Sequence, residues 1–321
     1  MPVFGTHNGS SAAYAALPPC YRPEQVSMVD RPVRRVLVLV SVVAVLATGA
    51  VRPAVPVSAA FAPFAFVPAR MAVLGDSITR GFNACGWYVD CESRSWAGGS
   101  EAPVRSHYAR LRMRNRSLVV HNNAVSRAKV IALEGQARSA VAQRVDYVTI
   151  LIGANDACTR SEQTMTSVAD FESRFRAGMD TLRQGVPNAL VFVSSIPDVK
   201  RLWQVGKEDA VARVAWTLFG VCRSMLFHPS SMAAADMDRR DRVRRRVIAY
   251  NHVLARVCAE YPRCASDRNA VFDYRFSLSE VSRWDFFHPN GNGQAALARL
   301  TFHAGFWSPT ANRRAHARLN R

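Results

Sequence analysis

A three-layer α/β/α sandwich around a mostly parallel five-stranded sheet is the fold class this sequence predicts. Three observations carry it. From residue 70 onward, short apolar runs alternate with longer stretches of helical periodicity. The short runs are rich in β-branched residues and nearly continuous in apolar character, as strands buried on both faces of a parallel sheet are. The composition, 49% apolar and 21% charged over 321 residues, is that of a globular chain long enough to bury a core.

The elements follow in order. Strands are expected at 71–74 (MAVL), 118–121 (LVVH), 147–152 (YVTILI), 190–194 (LVFVS) and 270–274 (AVFDY). Helices are expected over 101–113, 130–144 and 168–182, the last ending before Gly185. A further helix over 239–258 places Val243, Val247, Tyr250, Leu254 and Val257 on one face. Arg239, Arg240, Arg242, Arg244, Arg245 and Arg246 crowd its first turns and are expected to form a solvated face. Contact with an anionic surface is the alternative for that cluster. Asp236, Asp238 and Asp241 are expected to offset its charge against the helix dipole. Residues 203–240 resist assignment and read as an insertion over the sheet, where a lid or substrate wall would sit. One folded domain is expected over 60–306, followed by a loose basic tail at 307–321 with Arg313, Arg314, Arg318 and Arg321.

Residues 1–59 do not read as folded domain. Arg31, Arg34 and Arg35 precede an uncharged apolar run at 36–47, and the next charge is Arg52. A basic segment, an apolar segment and the small residues Val57-Ser58-Ala59 make a secretory signal peptide. The run is short of the roughly 20 apolar residues a spanning helix needs. An uncleaved anchor with the domain outside is the alternative. Translation from Met28 would give the segment an ordinary length.

Cysteine usage agrees with export. Of seven cysteines, Cys20 lies in the removed part, leaving Cys85, Cys91, Cys158, Cys222, Cys258 and Cys264 as disulfide candidates. Cys85 with Cys91 and Cys258 with Cys264 could close small loops, which would leave Cys158 with Cys222, but six cysteines leave the connectivity open. Net charge is +18, of which residues 60–321 keep +15 once five arginines, Glu24 and Asp30 are removed. Such charge attracts anionic membranes or cell walls. Lys129, Lys200 and Lys207 are the only lysines, so Arg-rich codon usage explains the charge equally well. No nucleic-acid recognition motif is present.

In open parallel sheets, sites form at the carboxyl ends of strands. The first strand exits into Gly75-Asp76-Ser77-Ile78-Thr79, the second into Ala124-Val125-Ser126-Arg127, and the third into Gly153-Ala154-Asn155-Asp156. Near the C-terminus stands Trp284-Asp285-Phe286-Phe287-His288-Pro289. Serine-based hydrolysis needs a nucleophile, a base, an acid to orient the base, and donors for the oxyanion. Ser77, His288 and Asp285 can supply the first three. The Ser77 amide, an amide of the second-strand loop and the Asn155 side chain can supply the donors. Asp156 reads as a loop-structuring carboxylate. His252 reads as a surface or core histidine. His107, His121 and His228 show no metal spacing, so neither a metal nor another cofactor is expected. Trp87, Tyr88, Trp96, Trp203 and Trp216 could line a pocket, though core packing is the commoner fate of such residues.

GDSIT, GAND and DFFH, in this order and each just after an expected strand or near the C-terminus, resemble the GDSL, or SGNH, serine hydrolases. The resemblance spans about residues 70 to 304. The six cysteines are similar to those of secreted actinobacterial members. It implies a flavodoxin-like sheet and hydrolysis of lipid, short acyl or acetylated-sugar esters. It also implies Ser77 as nucleophile, His288 as base, Asp285 as its partner and Asn155 as an oxyanion donor. One position departs: where the family usually has Gly in the second-strand loop, this chain has Arg127. Its amide can still donate, but a glycine there serves a positive φ or close substrate approach. The expectation is a secreted, monomeric serine esterase on lipid, phospholipid or short acyl esters. A carbohydrate O-acetyl esterase and a weakly active envelope-binding protein are the alternatives.

Overall fold

The computed structural model describes residues 66–308. The expected signal segment and the tail beyond residue 308 lie outside the described residues. The sheet consists of β1 (Arg70–Gly75), β2 (Val119–Asn122), β3 (Tyr147–Leu151), β4 (Leu190–Val193) and β5 (Cys264–Ser266). Every pairing is parallel, in the order β2-β1-β3-β4-β5. This is the flavodoxin-like order, with its topological switch between β1 and β3. Those two strands end level, Gly75 opposite Leu151. β3 and β4 are buried throughout, and β1 is buried after Arg70, because helices cover both sheet faces.

α1 (His107–Arg112) precedes β2, and α2 (Leu133–Ala142) precedes β3. α3 (Ala154–Ala157) and α4 (Val168–Gly185) connect β3 to β4. Between β4 and β5 lie α5 (Val199–Gly206), α6 (Ala210–Phe219), α7 (Arg223–Leu226) and α8 (Ala234–Ala259). α9 (Ala270–Asp273) and α10 (Gly291–Ala304) complete the chain. Side-chain caps start many of them: Ser106 for α1, Ser167 for α4, Asp198 for α5, Asp209 for α6 and Asn290 for α10.

On one face of the sheet, His107 of α1 bridges Tyr147 of β3 and Thr301 of α10 at 2.7 and 2.8 Å. Burial holds its imidazole down to about 3, so it is a neutral core histidine. On the other face, Phe171 of α4 stacks on Tyr250 of α8 at 4.1 Å. Gly178 of α4 lies directly against Leu133 of α2.

Four strands sit where expected, within a residue or two at each end. The fifth does not. Residues 270–274, expected as a strand, form the single turn α9, and the fifth strand is Cys264–Ser266. Asp267 causes the turn: its carboxylate accepts from the amides of Asn269 and Val271 at 3.2 and 2.9 Å. The helix expected from residue 101 starts only at His107. Glu101 is instead held by Ser93 and Arg94, both at 2.8 Å. The unassigned stretch 203–240 is helical, containing α6, α7 and the start of α8.

Arg240 also departs from the expected solvated face. It is fully buried, donates to the carbonyls of Ser231 and His228 at 2.8 and 2.6 Å, and lies over the Trp203 ring at 4.3 Å. The carbonyls left by the 227–231 turn need a donor with this reach. Its neighbours follow the expectation of a surface face: Arg242 pairs with Glu162 and Arg244 with Asp198.

Three disulfides join Cys85 to Cys91, Cys158 to Cys222 and Cys258 to Cys264. The second spans 64 positions and ties the loop after α3 to α7; the others span 6. In the chain-entropy account, long loops lose more freedom on cross-linking. Replacing Cys158 and Cys222 with Ser is expected to lower unfolding free energy by about 4 kcal/mol. The same change at Cys85 and Cys91 is expected to cost about 2 kcal/mol. Urea melts read both, and equal losses would contradict the ranking.

Candidate active site

The site is built on the ends of β1, β2 and β3 at the switch point. Gly75 ends β1 with φ of 149°, and a Cβ there would stand 2.2 Å from the Leu151 carbonyl oxygen. Only glycine allows β1 to lie that close to β3 while turning outward. Gln136 of α2 brackets the turn, accepting from the Gly75 amide at 2.8 Å and donating to its carbonyl at 2.9 Å. The chain then winds into a tight turn. The Ile78 amide donates to Asp76 Oδ1 at 2.9 Å, and the Phe82 amide donates to the Ser77 carbonyl at 2.9 Å. Ser77 emerges at the tip of this turn.

Its Oγ is 2.8 Å from His288 Nε2. His288 Nδ1 is 2.6 Å from Asp285 Oδ2. A carboxylate can only accept, so Nδ1 carries the proton and Nε2 is left to accept from the serine hydroxyl. Burial pushes the Asp285 carboxyl up, but bonds and charge from His288 and the amides of His288 and Phe287 outweigh it. The carboxyl is held below its ordinary value. Asp285 is therefore ionised at neutral pH.

The loop carrying Asp285 and His288 is fixed at several points. Trp216 Nε1 donates to the Phe286 carbonyl at 2.8 Å, and the Ser282 amide donates to the His288 carbonyl at 2.8 Å. Phe82 and Phe287 flank the imidazole, with ring centroids at 4.9 and 5.0 Å.

The loops that carry the expected oxyanion donors are tied to one another. The Val125 amide donates to the Gly75 carbonyl at 3.1 Å, tying the β2 loop to the end of β1. Asn155 Nδ2 donates to the Ala128 carbonyl at 3.0 Å, tying the β3 exit to the same loop. One Nδ2 hydrogen remains for another acceptor. Among the described residues, the amides of Ser77 and Arg127 donate to no protein acceptor.

Comparison with known proteins places the chain in a family. The model of the GDSL-like Lipase/Acylhydrolase family matches residues 73–296, well over half the chain. The chain belongs to this family. It is on that ground a carboxylic ester hydrolase. No curated protein matches the chain. Among solved structures, it is similar to an acetylxylan esterase from Geobacillus stearothermophilus, at 18% identity and a TM-score of 0.47, covering 74% of this chain and 95% of that one. It is also similar to an extracellular lipase from Streptomyces rimosus, at 16% identity and a TM-score of 0.45, covering 74% of this chain and 99% of that one.

Within this GDSL domain, Arg127 adopts φ of 69°, the left-handed region that favours the glycine usual there. Its guanidinium turns away to hydrogen-bond the Tyr88 hydroxyl and lies 5.9 Å from that ring. The aromatic residues divide: Trp96, Trp203 and Trp216 are core, whereas Trp87 and Tyr88 are exposed. Asp156 holds a loop, accepting from the Thr166 hydroxyl at 2.7 Å and the Val130 amide at 2.9 Å. His252 is exposed.

Asn83 escaped the sequence reading. Its Nδ2 donates to Asp285 Oδ2 at 2.6 Å, the same oxygen that receives His288. Asn83 has φ of 58° and sits in the loop before Cys85. No local pattern marks a polar loop residue whose partner lies 202 positions away.

Asp76 is fully buried beside Ser77, and its Oδ2 has no hydrogen-bond partner among the described residues. Burial pushes its carboxyl up from 3.8 to about 7. A folded value above the unfolded one means the native state holds the extra proton between about pH 4 and 7. Stability from this group is present below that window and is lost as pH rises through it. Asp76→Asn does not titrate. It is expected to gain on the wild type by up to about 4 kcal/mol from pH 4 to 7. Melts of both proteins across this range check it; a constant difference would show that Asp76 is ionised throughout.

Proposed function

We propose that this chain is an exported serine esterase that works through an acyl-enzyme, with lipid or phospholipid acyl esters as first substrates. The observation that carries the mechanism is the unbroken relay from Ser77 Oγ through His288 to Asp285, at 2.8 and 2.6 Å. His288 Nε2 takes the hydroxyl proton as Ser77 Oγ bonds to the ester carbonyl carbon. Negative charge moves to the carbonyl oxygen, where the amides of Ser77 and Arg127 and the Asn155 side chain receive it. Collapse breaks the bond to the alkoxide, which leaves with the proton from His288. Water then attacks the acyl-enzyme, giving its proton to His288. The acid departs and Ser77 is regenerated. Asp285 stays ionised and steadies the imidazolium at both stages. Asn83 is a positioning residue that holds the carboxylate toward the ring.

Three disulfides and the apolar segment at 36–47 support export. The surplus of arginines supports an anionic or membrane-associated substrate over a neutral polysaccharide. A series of p-nitrophenyl esters from acetyl to dodecanoyl tests the acyl class. Rising kcat/KM with chain length is expected. A maximum at acetyl, with turnover of acetylated sugar, would favour the carbohydrate O-acetyl esterase instead.

A further inference from the structure

The outer face of α6 is apolar, exposed and continuous with the aromatic rim of the site. Ala212, Ala215 and Trp216 form its buried side. Val211, Val214 and Leu218, at steps of three and four, form the opposite side and are 63%, 63% and 73% exposed. α6 is thus apolar on both faces, an arrangement suited to a covered helix rather than to one in water. Phe219 closes the helix with its ring centroid 5.3 Å from that of Trp87, and Trp87 stands 6.1 Å from Trp284. Both tryptophans are about half exposed, at 46% and 50%. Scattered apolar residues on a surface need no explanation, but a contiguous rim of this kind marks an interaction site.

The rim borders the catalytic groups. Tyr88, next to Trp87, has its ring 5.4 Å from Phe82, and Phe82 lies 4.9 Å from His288. The Cys85–Cys91 disulfide closes the loop that presents Trp87 and Tyr88. Trp216 connects α6 to the Asp285–His288 loop through the Phe286 carbonyl. A surface seated on this rim would lie beside the mouth of the site.

Three arginines stand around the rim. Arg127 is bound to the Tyr88 hydroxyl, and Arg283 precedes Trp284 and is exposed. The Arg223 stem lies 3.7 Å from where a Cβ on Gly220 would be, just beyond Phe219. The nearby carboxylates are engaged: Asp90 by Arg80 and Ser126, Glu208 by Lys207, and Asp209 by the first amides of α6. Aliphatic side chains on a helix, tryptophans beside them and arginines around them fit the boundary between headgroups and acyl chains of an anionic bilayer.

We propose that the exposed face of α6, with Trp87, Phe219 and Trp284, docks the enzyme on an anionic phospholipid surface and brings the site to its substrate there. This deepens the esterase reading and rests on it for the substrate, whereas the docking itself does not need turnover. The test uses the full chain and the double variant Val214→Ser/Leu218→Ser. Both are assayed on soluble p-nitrophenyl acetate and on phosphatidylglycerol vesicles. Acetate turnover is expected to stay within about twofold, because the substitutions lie outside the catalytic groups, while vesicle hydrolysis falls by about tenfold or more. Equal effects on both substrates would overturn the docking surface.

Binding is read separately in the Ser77→Ala background, from tryptophan quenching by phosphatidylglycerol brominated on its acyl chains. Quenching of the exposed Trp87 and Trp284 is expected, and less of it in the double variant and on phosphatidylcholine vesicles. Quenching without turnover of any ester by the wild type would sink the esterase reading and leave the surface standing. Turnover of the soluble ester without quenching would do the reverse. Self-association that vanishes in the double variant, again without quenching, would assign the face to a second copy of the chain and overturn the lipid proposal.

Discussion

Ser77→Ala is expected to lower turnover of a soluble p-nitrophenyl ester by roughly 10⁴-fold or more, the scale seen when a serine nucleophile is removed. The effect should fall on kcat, with the fold unchanged. Among the described residues the Ser77 hydroxyl makes one side-chain hydrogen bond, at 2.8 Å to His288 in a partly buried position. Its loss leaves the turn intact, because the turn is held by backbone bonds and by Asp76. Residual activity over water would then come from the oxyanion donors and from substrate binding. A loss below about tenfold would place the nucleophile elsewhere, since no weaker function of a serine hydroxyl matches the predicted scale.

Asp285→Asn is expected to cost roughly 10³–10⁴ in kcat while leaving KM within a few-fold. The amide preserves size, but not the pattern of donors and acceptors. Asp285 Oδ1 accepts from two backbone amides at 2.9 and 3.0 Å, so the asparagine oxygen is drawn to that side. The NH₂ group then replaces Oδ2, facing His288 Nδ1 at 2.6 Å and Asn83 Nδ2 at 2.6 Å. Two donors confront it. The imidazole relieves the clash by moving its proton to Nε2, the atom that must accept from Ser77. The rate should therefore fall through the wrong tautomer with the site geometry intact. Steady-state kinetics beside an unchanged near-UV spectrum check this. A rate within threefold of wild type would show that Asp285 does not set the tautomer.

The parts of the fold that were legible in the sequence are those buried on both sides. Residues 71–74, 147–152 and 190–194 read as strands because both sheet faces are covered and nearly every position is apolar. β5 was not legible. It is a three-residue edge strand, Cys-Ala-Ser, only partly buried and pinned by the Cys258–Cys264 disulfide. The more apolar run beside it drew the assignment, although Asp267 turns that run into α9. α6 hid for another reason: its apolar residues occupy both the inner and the outer face, so no single stripe marks it.

The candidate site shows the same division. Ser77, Asn155, Asp285 and His288 were legible because each stands in a compact motif, and the motifs come together at strand ends. Arg127 was legible as a departure, and its φ of 69° shows what the usual glycine provides. Asn83 was not, because its role depends on a contact between opposite ends of the domain. Burial of Arg240 was equally hidden, since one arginine among six carries no sign of the carbonyls that will surround it.

The most direct test of the proposed chemistry is to catch the acyl-enzyme. Wild type mixed with excess p-nitrophenyl ester should release a burst near one equivalent of p-nitrophenol per chain. Rapid acid quenching and peptide mass analysis should then find the acyl group on the peptide containing Ser77, and on no other. Steady turnover with no acyl peptide, or with the acyl group on another residue, would contradict a mechanism that runs through Ser77.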